Sequence, residues 1–367
     1  MKISFLSCTN GIIHRGVETF VHELANSLSK NHDVSVYQAG EKLEGALYKT
    51  VTLPFTLNLG EENRLRSLSK PLYKDYSARN FLRRFYLDYW NRRQGVFALK
   101  VFKLIPKDTK ILIIPGSGWV SLFSRFWCLK NKVKLVITGQ SGPGWDDRIN
   151  LFCRPDVFVA LSSYAGEWAK NAGFGVNVAT IPNGVSLNRF NLNTKAAKVD
   201  LPRPVFLTVA ALEPGKRIDL TIKAVSNLKK GSLLVLGDGN EKENIIKMGE
   251  YLLTGRFEIK YVRHEEMPAF YAAADVVTMV PVGVESFGIV YVEGMALNKP
   301  IVATDDPIRR EIIGNAGLFI NPKNTKEYSE ALEEAAKKDW DNIPRQQAEK
   351  FSWDKIAIKY SKLLESL

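Results

Sequence analysis

The segment VESFGIVYVEGMAL places two glutamates, Glu285 and Glu293, eight positions apart with Phe287, Gly288 and Ile289 between them. With Glu285 in the loop before a helix and Glu293 about two turns into it, both carboxylates flank a helix N-terminus. The first amides there have no intrahelical partner, and the dipole end is positive. Such a place receives polar or anionic ligand groups, and glycine at 288 permits close approach. The same residues also suit a plainer arrangement, in which Glu285 partners the dipole and Glu293 is a solvated helix residue. A second cluster, VAALEPGKRIDLTIKAV, ends a strand in a Pro-Gly turn that carries Lys216 and Arg217 just before a helix. Lysine is a compact charge for a diphosphate and arginine a forked donor; the alternative is a solvated basic turn. A third, LVLGDGNEKENI, is a glycine-rich strand-to-helix turn without the full G-x-G-x-x-G spacing, and it specifies little by itself.

All three clusters need strand-to-helix turns to hold them, and the chain supplies these in two series. From the start, a strand over Lys2 to Ser7, the helical pattern VETFVHELANSLSK and the strand DVSVYQ make a βαβ unit, which implies a parallel sheet. KILIIP, VSLFSRFWCLK, VKLVIT, DVFVAL and SYAGEWAKNAG continue the alternation up to IPNGVSLNRF. After the polar stretch 191–204, a second series runs from VFLTVAA to PIVATD. With 367 residues, the chain is expected to form two Rossmann-like α/β halves, 1–185 and 186–350, with FSWDKIAIKYSKLLESL (351–367) as a closing helix that packs back on the first. Ligands of doubly wound sheets bind at the carboxyl ends of the strands, so the halves are expected to face each other across a ligand-binding cleft.

Composition narrows the partners. A chain that is 45% hydrophobic and 25% charged is neither disordered nor a disulfide scaffold. Cys8, Cys128 and Cys153 have no paired or zinc-binding spacing, which fits a reduced, cytoplasmic setting. The N-terminus lacks a signal-peptide pattern, and no apolar stretch reaches the length of a membrane span, so any membrane association is expected to be peripheral. A formal charge of +12 raises nucleic acid, an anionic membrane and an anionic small molecule as partners. Most of that charge lies in 64–110, which holds 13 Lys and Arg against Asp75, Asp88 and Asp108. On a helix through 78–93, Phe81, Leu82, Phe85 and Tyr89 share one face, with Arg79, Arg83 and Arg84 elsewhere, an amphipathic pattern suited to an anionic membrane or to packing on the sheet. Asp146-Asp147 and Asp305-Asp306 are not D-x-D pairs and read as turns or caps. His14, His22, His32 and His264 lack metal-ligand spacing, and Ser141 has no triad context, so neither a metal nor a nucleophilic hydrolase is expected.

Taken in order, EPGKRIDLTIKA, LVLGDGNEKE, YVRHEEMPAFYAAADVVTMVP, ESFGIVYVEGMALNKPIVATD and IIGNAGLFINP resemble the C-terminal domain of retaining glycosyltransferases of family 4, the group 1 glycosyl transferases with the GT-B fold. HRGVETFVHELANSLSKNHDVSVY and IPNGVSLNRF extend the resemblance over nearly the whole chain. It implies a retaining, metal-independent enzyme with no cofactor, moving a sugar from a nucleotide-diphosphate sugar to a glycan or lipid-linked glycan in cell-surface polysaccharide or glycolipid synthesis. The donor domain is then 186–350, and 1–185 is the acceptor side. By the same resemblance, Glu285 contacts the donor sugar and Glu293 the ribose hydroxyls. Phe287, Gly288 and Ile289 present amides, and Lys216 stabilises the leaving diphosphate. Gly16 belongs to the loop facing that diphosphate, and Arg263 and His264 lie in the segment whose backbone reads the base. Three positions depart from the family pattern: Ala211 where an arginine usually partners the lysine, Arg15 where the first loop glycine stands, and Gln140-Ser141 where many relatives have a histidine. Arg217 or Arg15 is then the candidate to replace the missing cation. The alternatives are a nucleotide-sugar epimerase on the same fold and a non-catalytic membrane- or polyanion-binding relative. Acidic residues in the site speak against a polyanion binder, and nucleic acid is not an expected partner.

Overall fold

Unbroken runs of aliphatic residues, such as ILII at 111–114, with every side chain buried, form strands covered on both faces, as parallel sheets require. The computed structural model describes residues 1–12, 15–55, 88–283 and 285–367. Its chain divides into two compact units, Met1–Pro182 with Ile356–Leu367, and Asn183–Lys355.

In the first unit, β1 (Lys2–Leu6), α1 (Gly16–Ser29), β2 (Asp33–Gln38) and β3 (Lys49–Thr52) come before the helix α2 (Tyr89–Val101). There follow β4 (Ile111–Ile114), α3 (Trp119–Asn131), β5 (Lys134–Thr138), α4 (Trp145–Phe152), β6 (Val157–Ala160), α5 (Ser163–Asn171) and β7 (Val178–Thr180). The strands form one parallel sheet in the order β3-β2-β1-β4-β5-β6-β7. Its direction of winding reverses between β1 and β4. Residues 78–87 of the helix expected over 78–93 lie outside the described residues, and the described helix, α2, begins at Tyr89 and continues to Val101.

The second unit repeats the design with β8 (Val205–Val209), a 3-10 turn (Pro214–Lys216), α6 (Ile218–Ser226), β9 (Ser232–Leu236), α7 (Lys242–Leu252) and β10 (Phe257–Lys260). It goes on with α8 (Met267–Ala273), β11 (Val276–Met279), α9 (Ile289–Ala296), β12 (Ile301–Thr304), α10 (Pro307–Ile313), β13 (Gly317–Ile320), α11 (Thr325–Lys337) and α12 (Ile343–Glu349). The sheet is parallel in the order β10-β9-β8-β11-β12-β13, so its reversal falls between β8 and β11. Side-chain caps fix several helix starts: Ser162 accepts from the Ala165 amide at α5, and Asp306 from the Arg309 amide at α10, with Pro307 at the first helical position. The last helix, α13 (Trp353–Glu365), spans the division of the chain, and from Ile356 onward it belongs to the first unit. There the buried Tyr360 ring lies 6.1 Å from that of Phe20 on α1.

Candidate functional site

Ligands gather where a doubly wound sheet reverses, beyond the carboxyl ends of the two strands that diverge. In the second unit those strands are β8 and β11, and the loops that follow them carry Lys216 and Glu285. After β8 the chain tightens into the 3-10 turn, and Arg217 takes a left-handed backbone, φ +51°, at the start of α6. A non-glycine residue rarely adopts that conformation. It ends the turn abruptly, and Lys216 reaches the neighbouring loop: its Nζ lies 2.9 Å from Glu285 Oε2, with about a quarter of each side chain exposed. A backbone bond from the Val282 amide to the Gly215 carbonyl, 2.7 Å, ties the same two loops together. Such a partly exposed ion pair contributes about 1 kcal/mol or less to stability, so its significance is one of position.

Gly288 caps α9 with φ +81°, and a Cβ there would run into the Tyr291 ring, so both backbone and space demand glycine. This left-handed start corrects the expected depth of the second glutamate. The helix begins only at Ile289, so Glu293 lies little more than one turn in, not two. Nor is Glu293 a solvated helix residue, since it is buried and accepts a hydrogen bond of 2.7 Å from the Tyr271 hydroxyl on α8. Burial, with the Glu293 charge beside it, holds the Tyr271 hydroxyl well above the usual phenol range, so it stays a donor. Phe287 is buried edge-on against Phe351, ring centroids 5.7 Å apart, which anchors the loop ahead of α9. Tyr291 donates to the Met279 carbonyl at 2.9 Å and receives Arg309 Nε at 3.2 Å. Arg309 is wholly buried and ion-paired with Asp306, the residue that caps α10.

The other expected positions take different places. Arg263 is exposed beside Glu266 after β10, and the His264 carbonyl accepts the Arg189 guanidinium. The glycine-rich turn after β9 lies against the post-β8 loop, where a Cβ at Gly239 would fall 2.6 Å from the Leu212 carbonyl; its glycines serve close backbone packing. Gly16 is in the first unit, as the first residue of α1, in the segment that follows β1 at that unit's own reversal. Glu18, within the first turn of α1, is buried and accepts from the Thr9 hydroxyl; burial raises its pKa. Gln140 and Ser141 follow β5, above the buried Asp147, whose carboxyl is held well above its usual range by burial. Asp146 accepts from Ser117 and Asp305 pairs with Arg310. Among the described residues, no three His, Cys, Asp or Glu side chains are grouped to hold a metal ion. Sequence reasoning missed Tyr271, Tyr291 and Arg309, the residues that hold the glutamate-bearing helix. The cue available for Tyr271 was an aromatic with a polar tip, inside the otherwise apolar FYAAA run, that needs a buried partner.

The family profile described as Glycosyltransferase Family 4 matches residues 14–189, and that described as Glycosyl transferases group 1 matches residues 191–352. An uncharacterized 41.2 kDa protein in the cps region of Klebsiella pneumoniae is 27% identical over 256 residues, 65% of this chain and 65% of that protein. A phosphatidyl-myo-inositol mannosyltransferase of Mycobacterium leprae is 29% identical over 181 residues, 47% of this chain and 48% of its own. The chain thus spans about half to two thirds of the length of these relatives. Among solved structures, Anabaena Alr3699/HepE in complex with UDP and glucose superposes with a TM-score of 0.76 at 17% identity, covering all of both chains, a likeness of fold. With one profile on each half and two parallel α/β domains of the GT-B class, the chain belongs to glycosyltransferase family 4.

Proposed function

We propose that the protein transfers a sugar, with retention of configuration, from a nucleotide-diphosphate sugar to an acceptor hydroxyl on a glycan or lipid-linked glycan. One observation carries this reading: Lys216 and Glu285 meet at the reversal of the second sheet, beside the glycine-started helix α9. A diphosphate entering there competes with Glu285 for the ammonium of Lys216. Lys216 and the amides of Phe287, Gly288 and Ile289 then face the charge that grows on the leaving diphosphate, the kind of electrostatic stabilisation that dominates such chemistry. Released from Lys216, Glu285 accepts hydrogen bonds from the donor sugar, and Glu293, steadied by Tyr271, accepts them from the ribose. The acceptor hydroxyl attacks the face that the diphosphate leaves. In this reading the charge of the diphosphate is met by side chains and helix amides in place of a cation. Arg217, next in sequence to Lys216, takes over the charge lost at Ala211; Gly16 keeps the family's diphosphate-loop role, and the Arg263–His264 segment offers its backbone to the base.

Two relatives support the substrate classes: the solved structure holds UDP and glucose, and the mycobacterial relative is named for a lipid acceptor. The three cysteines are free and buried, which suits a cytoplasmic enzyme. Thermal denaturation against a panel of nucleotide sugars tests the reading, because a ligand that binds only the native state raises its apparent stability. One donor is expected to stabilise the protein, and Lys216→Ala and Glu293→Ala each to weaken that effect. Unchanged affinity in both variants defeats the site assignment. Conversion of the donor to its epimer without acceptor replaces transfer by epimerisation.

A further inference from the structure

Helices α2 and α3 of the first unit lie side by side. Gly95 of α2 makes the contact close: a Cβ there would stand 2.6 Å from Trp119 Cβ and 3.2 Å from the Phe123 ring. Further along, Phe102 stacks on Trp127 with centroids 5.4 Å apart. Because 95 pairs with 119 and 123, and 102 with 127, the helices run parallel. Phe97, Ala98 and Val101 on α2, and Val120, Ser124 and Cys128 on α3, are the residues turned to the core. At 3.6 residues per turn, the remaining stripes are Arg92, Val96, Leu99 and Lys103 on one helix and Phe126, Leu129 and Lys130 on the other. In a parallel pair that shares one core side, both stripes point outward on the same surface.

That surface is unusual in two respects. Its apolar side chains stand in solvent: Phe126 is 63% exposed and Leu129 58%, joined by Val96, Leu99 and the following Leu104. And neither helix contains an Asp or Glu. Arg93 is turned onto the Phe55 ring and Arg125 pairs with Asp156, but Arg92, Lys100, Lys103 and Lys130 are exposed with no acidic partner among the described residues. Exposed aromatic and leucine side chains interleaved with unopposed lysines match a bilayer interface, where the apolar groups enter the acyl boundary and the ammonium groups meet anionic headgroups. Among the described residues no helix is long and apolar enough to cross a membrane, so the match is to lying on one. A nucleic acid would use the lysines but leave Phe126 and Leu129 without purpose.

We propose that the α2–α3 face docks the protein onto an anionic lipid surface. The inference stands apart from the transferase reading, since it requires neither donor nor acceptor. Cosedimentation of the full chain with phosphatidylcholine vesicles, with and without about one third phosphatidylglycerol, tests it. Binding is expected only with the anionic lipid, and is expected to fade as salt shortens the Debye length. Phe126→Asp with Leu129→Asp, and separately Lys100→Glu with Lys130→Glu, are each expected to lower partitioning about tenfold or more while the melting temperature and donor-induced stabilisation stay those of the parent. Equal binding to neutral and anionic vesicles overturns the proposal, as does undiminished binding in both variants. Retention of a DNA or RNA duplex with no pelleting on vesicles overturns it in favour of a nucleic-acid face.

Discussion

Lys216 and Lys130 both flank parallel sheets, yet their surroundings have little in common. Lys216 is held 2.9 Å from Glu285, in a loop bonded to its neighbour through Gly215 and Val282. Lys130 stands exposed on a helix without a single acidic residue. At the second unit's candidate site the charges are paired or braced by buried aromatics: Lys216 with Glu285, Tyr271 on Glu293, Tyr291 on Arg309, and Phe287 on Phe351 beside them. Those of the α2–α3 face, Arg92, Lys100, Lys103 and Lys130, are solvated and interleaved with exposed apolar groups. Preorganisation of that kind favours one ligand in one geometry, and diffuse charge with exposed apolar area favours a surface. The +12 of the whole chain therefore describes neither region; it is the arrangement that separates a site from a docking face.

The contrast breaks most visibly at Lys216. On the proposed reading, its replacement by alanine removes the cation opposite the leaving diphosphate and is expected to lower kcat/KM by about a hundredfold to a thousandfold, measured with the donor that the thermal panel identifies. Vesicle binding should not change. A transfer rate within a factor of about two of the parent would show that the bracing around Lys216 serves only structure. Gly288→Ala comes next. An alanine at φ +81° that also runs into Tyr291 combines backbone strain with overpacking, together about 3 kcal/mol. The expected result is a lower melting temperature and weaker donor binding, while the corresponding change at an exposed face residue, Leu129→Ala, leaves the melting temperature within about a degree.

Much of this was legible in the residues. The aliphatic runs and the helical spacing of Ile356, Tyr360 and Leu364 announced strands and a closing helix, because burial imposes a period that sequence displays directly. The loops bearing Lys216 and Glu285 were legible for the same reason, as interruptions of that period. The depth of Glu293 was not, because it hangs on a single left-handed glycine, a backbone choice that side-chain spacing does not encode. Tyr271 and Arg309 escaped because their partners lie 22 and 18 positions away, on other helices. The docking face escaped in part too. Its charge was visible in 64–110, but Phe126, Leu129 and Lys130 join it only because α3 lies beside α2.

The smallest expected effect separates bracing from mere packing within the site. Tyr271→Phe keeps the buried ring, edge-on to Phe190 at 5.7 Å, and deletes only the hydroxyl that donates to Glu293. Loss of one such bond to a carboxylate costs about 1.5 kcal/mol, roughly tenfold, and should appear in the KM for the nucleotide sugar with kcat nearly unchanged. If the hydroxyl acts by aiming Glu293 at the ribose, the penalty must shrink when the nucleotide lacks ribose hydroxyls, since the aimed group then has nothing to bind. A penalty of the same size for both nucleotides means that Tyr271 stabilises the α8–α9 contact and aims nothing. Glu293→Gln distinguishes the remaining case: if it also leaves nucleotide binding untouched, the ribose assignment itself falls, whereas weakened binding there with an unaffected Tyr271→Phe removes only the aiming role.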